Sequence, residues 1–145
     1  MPKKRGAGSA KASSAAAASG DATLAVAGAA VLRKQFDAMR GTEAGTRQGD
    51  DIEALHQMRV ATRRLRAALR IYVGAELRPA FEPIEGDIRA IAQALGAVRD
   101  LDVFGEELRS RAGAVPTDSV AIGALLEAFE GARSTRREEL HAVLD

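Results

Sequence analysis

The segment from His56 to Arg70 concentrates positive charge in a chain whose net charge is only +1. It holds five arginines and one histidine in fifteen residues, and no acidic residue occurs between Glu53 and Glu76. In an α-helix each residue turns by about 100°, so five of these cations fall within an arc of roughly 80°, directly beside an apolar arc. We call these five residues the cation ladder: His56, Arg59, Arg63, Arg66 and Arg70. Arg64 points away from them.

The chemistry that such a ladder favours is the binding of a linear anion. Guanidinium groups stay charged and present forked donors that match phosphate oxygens. Steps of three or four residues put successive cations roughly 5–6 Å apart, over about 20 Å in total. Neighbouring like charges cost an isolated helix about 0.2–0.5 kcal/mol per pair, which indicates that the charge is used. The alternative interpretation is a solvated charged helix face.

Composition excludes several functional classes. The 145 residues suit one domain, and aromatic residues are limited to four Phe and one Tyr. Without cysteine there is no disulfide and no thiolate site. His56 and His141 are far apart and have no close carboxylate cluster, and no phosphate-binding or dinucleotide glycine motif occurs. We therefore expect no enzyme activity, metal or cofactor, no membrane span and a cytoplasmic location.

The chain organisation predicts an all-α bundle of four to five helices. Residues 1–20 are expected to form a disordered basic tail rich in Ala and Ser, and residues 21–145 a helical domain. Asp50 or Asp51 should cap the basic helix, and Gly96 should break or bend a later one. The predicted helices run from Asp21 or Thr23 to about Arg40, from about Asp51 to Val73, from Pro79 or Pro83 to Leu95, from Ala97 to Arg111, and from Thr117 or Asp118 onward, with a loop at 41–49 and a turn at 113–116.

Two sequence motifs resemble those of the CHAD family, the conserved histidine α-helical domain. They are DDIEALHQMRVATRRLRAALRIY at residues 50–72 and LGAVRDLDVF at residues 95–104, and the resemblance extends from about Val31 to Leu144. It implies a helical module that binds inorganic polyphosphate without being an enzyme. A module of this kind is also expected to associate with polyphosphate granules.

The resemblance also implies which residues line a basic channel. Asp100 and Asp102 of the second motif would orient arginines. The implied polyphosphate-binding residues are His56, Arg59, Arg63, Arg66, Arg70 and Arg99.

The sequence itself offers further basic candidates, which the resemblance does not imply. These additional candidates are Lys34, Arg133 and Arg137, with Arg89 as the weakest. For Arg133 and Arg137 the neighbouring Glu138 and Glu139 leave a solvated helix face as an equal alternative.

One departure from the family concerns length. A full CHAD domain has two related helical halves, and this chain resembles the first half, as though truncated before the second. We therefore expect either a truncated gene product or fragment that lacks the second half, or two copies that pair in a homodimer to rebuild the two-half arrangement. An apolar patch should then be exposed on the last helix.

Two other functions stay open. Nucleic-acid binding is less favoured, because duplex DNA requires a convex element and single strands require aromatic stacking platforms, whereas the basic helix has only Tyr72. A helical scaffold for a partner protein is the third class. Competition separates them, since polyphosphate should displace an oligonucleotide far better than the reverse, and a scaffold should bind neither with a strong salt dependence.

We predict that His56 makes binding depend on pH. Histidine gains its charge near neutral pH, and a bound polyanion favours the charged imidazolium. Polyphosphate should therefore bind more tightly at about pH 6 than at about pH 8. Titrations at fixed ionic strength measure this, and equal affinities at the two pH values would remove His56 from the mechanism.

Overall fold

The computed structural model describes residues 9–112 and 119–145, with side chains described for 23–111 and 121–145. All of the regular structure in these ranges is helical, so the predicted all-α bundle is confirmed. The helices are α1 (Ser9–Gly41), α2 (Glu43–Gln48), α3 (Ile52–Tyr72), α4 (Arg78–Ala112) and α5 (Ser119–Leu144).

The basic helix α3 begins and ends where its sequence signals predict. Asp51 is the N-cap, and its Oδ1 accepts a hydrogen bond of 2.8 Å from the backbone N–H of Glu53. Val73 is the C-cap, directly before Gly74. The charge pattern and the capping residues therefore located this helix correctly.

Three other boundaries differ from the sequence predictions. Helix α1 begins at Ser9, well before the predicted start, because residues 9–20 are rich in alanine, the strongest helix former. The predicted loop at 41–49 contains the short helix α2. Helix α4 continues through Gly96 and joins two predicted helices, since tertiary packing outweighs the cost of one helical glycine, about 1 kcal/mol. Residues 1–8 of the predicted tail and the predicted turn at 113–116 lie outside the described residues.

Helix α3 is the centre of the bundle. It packs against α1 on one side and α4 on the other, while α5 packs along α4. Helices α1 and α3 approach each other closely at Gly28, whose backbone lies against the side chain of Tyr72. The buried core takes its side chains mainly from α3 and α4, and includes Leu55, Met58, Leu65, Leu69, Leu95, Val98 and Leu140.

The C-terminal end of α5 is held by α2. Arg47 of α2 forms ion pairs with Glu43 at 3.0 Å and Asp145 at 2.7 Å, and these carboxylates, Asp145 first, raise the pKa of Arg47. Arg47 also donates to the carbonyl oxygen of Leu144 at 2.6 Å. In return, Nε2 of His141 donates to the carbonyl oxygen of Arg47 at 3.0 Å. This network fixes α5 on the bundle and uses His141 structurally.

Gly49 ends α2 in a conformation that other residues adopt with difficulty. Its φ is +86°, and its backbone N–H donates to the carbonyl oxygen of Gly45 at 3.0 Å. A methyl group on Gly49 would also overlap the guanidinium of Arg137. Glycine is therefore required here by both backbone conformation and space.

We predict that Gly49→Ala lowers the free energy of unfolding by about 2 kcal/mol, because a left-handed alanine costs roughly 1–2 kcal/mol and Arg137 must also move. Urea denaturation measures the change. Gly86→Ala is the matched control, since Gly86 is an exposed glycine inside α4 with open space around it. The control should raise the stability by up to about 1 kcal/mol. Equal effects of the two substitutions would contradict this account of Gly49.

Candidate anion-binding groove

The cation ladder borders a concave groove between α3 and α4. The concavity has a volume of about 230 Å³, and the ladder side chains at its edge are exposed to solvent. Ala92 contributes the small side chain of α4 that leaves this space open. The residues that line the groove are His56, Arg59, Val60, Arg63, Arg66 and Ala92.

Arg59 reaches across the groove to the backbone of α4. A Cβ atom built on Gly96 would lie 3.0 Å from Nη1 of Arg59, and Gly96 itself is buried. The missing side chain at this position therefore gives the guanidinium room to lie against α4. This contact explains the position of a glycine that sequence reasoning interpreted as a helix break.

A smaller concavity continues the groove toward the C-terminal end of α3. Its volume is about 40 Å³, and it is lined by Arg66, Arg70, Glu85 and Arg89. Arg66 lines both concavities, so the two form one path along the ladder. We call this path the basic groove.

Arg89, the weakest basic candidate in the sequence, lines the basic groove. The signal that could have found it is the spacing of Arg89, Ala92, Gly96 and Arg99 on α4, since steps of three and four residues place them on one helix face. That face is the one α4 turns toward the ladder.

The ladder cations have no acidic partner. Among the side chains that the structure describes, none of the five ladder residues, nor Arg89, forms an ion pair or a hydrogen bond. By contrast, several arginines elsewhere in the bundle pair with nearby carboxylates, as Arg136 does with Glu139 at 2.7 Å. The basic groove is therefore a row of charges available for an external anion.

Glu85 supplies the negative charge in the lining of the basic groove. Its Oε1 is buried without a hydrogen-bond partner in the described structure, and Nη1 of Arg78 is 3.8 Å away. A carboxylate here opposes a bound anion and offsets part of the positive potential around Arg66 and Arg70.

Arg99 and Lys34 are not among the residues that line the basic groove. Arg99 is half-buried on α4 and lies, by helical spacing, on the same face as Ala92, beyond the His56 end of the lining. Lys34 is exposed on α1. That Arg99 and Lys34 contact a bound anion stays a prediction.

Arg133 and Arg137 belong to contacts of α5 and not to the basic groove. Nε of Arg133 donates to Oδ1 of Asp102 at 2.6 Å, and the carboxylate of Asp102 is buried. Asp102 therefore orients an arginine, as the resemblance implied, but that arginine ties α5 to α4. Nη2 of Arg137 donates to the carbonyl oxygen of Thr46 at 3.2 Å, and burial lowers the pKa of Arg137.

In the part of the chain that the structure describes, no three His, Asp or Glu side chains are grouped so that they could hold a metal ion. No helix in that part of the chain is both long and apolar enough to cross a membrane.

Comparisons with known proteins gave one match. The family model of the CHAD domain matches residues 30–145, which contain the whole of the basic groove. Neither the curated proteins nor the solved structures contain a match to this chain.

We predict that Glu85→Gln raises the affinity for a linear polyanion, measured by titration with polyphosphate. Removing the opposing charge from the groove should strengthen binding about fivefold, corresponding to about 1 kcal/mol. Glu82→Gln is the control, because Glu82 is an exposed acid on the same helix and its loss changes the net charge equally. Equal effects of both substitutions would show that only the overall charge matters, contrary to the local role of Glu85.

Proposed function

This chain belongs to the CHAD domain family, and on that premise we propose that it is a binding module for inorganic polyphosphate. The anion would lie along the basic groove, in contact with the guanidinium groups of Arg59, Arg63 and Arg66. Arg70 and Arg89 would extend the contact at one end, and His56 would add charge at the other.

The observation that carries the proposal is the row of unpaired cations beside a concave surface. Arg70 lies fourteen positions after His56, which corresponds to about 21 Å along the axis of α3. A single phosphate would meet only one or two of these cations, whereas a linear chain of phosphates can meet several. Most of the binding free energy should come from the release of counterions, so the affinity should fall steeply with salt.

The shape and composition of the groove favour polyphosphate over a nucleic acid. Single-stranded nucleic acids bind to surfaces where exposed aromatic rings stack on the bases. Here no aromatic side chain lines the basic groove. Tyr72 packs against Gly28, and Phe104 stacks on Phe129 with their centroids 4.9 Å apart. The remaining two, Phe36 and Phe81, line a different concavity.

We propose binding without catalysis. Among the described side chains, the imidazole of His56 has no carboxylate partner to orient it as a general acid or base. The other ladder residues are arginines, whose guanidinium groups stay protonated near neutral pH and therefore do not serve as a general acid or base. We also propose that the protein is located in the cytoplasm and associates with polyphosphate granules.

We predict that Arg63→Glu combined with Arg66→Glu weakens polyphosphate binding by about 100-fold or more, since each lost charge-assisted contact is worth at least about 1.5 kcal/mol. The slope of log affinity against log salt should also decrease by about two, as two phosphate contacts are lost. Calorimetric titration with polyphosphate of defined length at several salt concentrations measures both quantities.

The matched control is Arg64→Glu combined with Arg40→Glu. Both of these arginines are exposed and lie outside the basic groove, and the change in net charge is the same. This control should lose at most a few-fold in affinity. Equal losses in the two double variants would refute a localised site, and an unchanged affinity after reversal of Arg63 and Arg66 would refute the proposed function.

A further inference from the structure

A second, apolar concavity lies on the other side of α4. Helices α1 and α4 both pack against α3 but scarcely against each other, which leaves an open space of about 540 Å³ between them. Leu65 and Leu69 of α3 form its floor. The walls are Leu32, Phe36 and Met39 of α1 and Phe81, Ile84, Ile88 and Ile91 of α4. We call this space the apolar groove.

The apolar groove leaves large side chains in contact with water. Phe36 is 45% exposed and Ile84 is 47% exposed, on opposite walls. A groove of this kind, with two helices as walls and a third as floor, is suited to receive another helix. Contiguous apolar surface of this kind marks an interaction site more often than it marks free surface.

The charges at the edge of the apolar groove are unpaired and of both signs. Arg33 and Asp37 lie on α1, and Asp87 lies on α4. Within the described residues none of the three forms an ion pair, although Arg33 and Asp37 are one helical turn apart. An occupant that supplies a cation opposite Asp37 and Asp87 and an anion opposite Arg33 would complement this edge.

Helix α1 itself has the features that the apolar groove requires of its occupant. By helical spacing, Val26, Arg33, Phe36 and Asp37 share its outward face. This face therefore carries two large exposed apolar side chains, since Val26 is 73% exposed and Phe36 is 45% exposed, with Arg33 and Asp37 beside them. A helix that is both a wall of the groove and a suitable occupant makes the surface self-complementary, which is the condition for a twofold symmetric dimer.

We propose that two copies of this chain associate through their apolar grooves, with α1 of each copy lying in the groove of the other. The twofold axis passes near Phe36, and Arg33 of each copy faces Asp37 and Asp87 of the other. The interface uses none of the residues that line the basic groove. It differs from the sequence expectation, which placed the exposed apolar surface on the last helix.

Charge exchange across the interface tests this proposal on the full chain. The first variant is Arg33→Asp, and the second combines Asp37→Arg with Asp87→Arg. Sedimentation velocity over a range of concentrations should show a dimer for the wild type and at least a tenfold higher dissociation constant for each variant alone. An equimolar mixture of the two variants should restore the dimer, because the acidic edge of one then faces the basic edge of the other.

Arg64→Asp is the control for charge reversal, since Arg64 is exposed on α3 outside both grooves, and it should leave the dimer intact. Far-ultraviolet circular dichroism should confirm that every variant keeps the helical content of the wild type. A wild type that stays monomeric at all concentrations overturns the proposal. So does a dimer that both variants leave unchanged, or a mixture of the variants that stays monomeric.

Discussion

Helix α3 must bury one face between α1 and α4 while it carries five cations directly beside that face. The burial of Leu55, Met58, Leu65 and Leu69 fixes the rotation of α3 about its own axis. Because the ladder lies on the adjoining arc, the same rotation brings His56, Arg59, Arg63 and Arg66 to the edge of α4. The free energy gained by packing the core therefore offsets the cost of like-charge repulsion within α3.

Two ion pairs elsewhere in the bundle have a structural role. Arg133 with Asp102 and Arg47 with Asp145 form ion pairs that tie α5 to α4 and to α2. Within each pair the two charges neutralise each other, which leaves little positive electrostatic potential to attract an external anion. No acidic residue occurs between Glu53 and Glu76 to do the same for the ladder. The ladder arginines thus differ from Arg47 and Arg133 in having no carboxylate partner among the described side chains.

Local signals in the sequence were sufficient for α3 and insufficient for its surroundings. The cap at Asp51, the end before Gly74 and the arc of the ladder all depend on residues within one helix. Other features of the groove depend on which face α4 turns toward α3, and the packing of the whole bundle decides that. These features are the presence of Arg89 and Glu85 in the lining and the contact of Arg59 with Gly96. The placements of Arg133 and Arg137 depend likewise on where α5 docks. The continuity of α4 through Gly96 is another result of tertiary packing overriding a local preference.

The central claim is that guanidinium groups of one helix face bind one extended anion together. The most direct measurement is the nuclear magnetic resonance of the arginine Nε–H groups during titration with polyphosphate. The account predicts that the signals of Arg59, Arg63 and Arg66 shift together and saturate at one stoichiometry, while the signal of Arg64 on the same helix stays in place. Equal shifts of Arg64 and the ladder arginines, or shifts that do not saturate, would show diffuse attraction to a charged surface and would contradict the account.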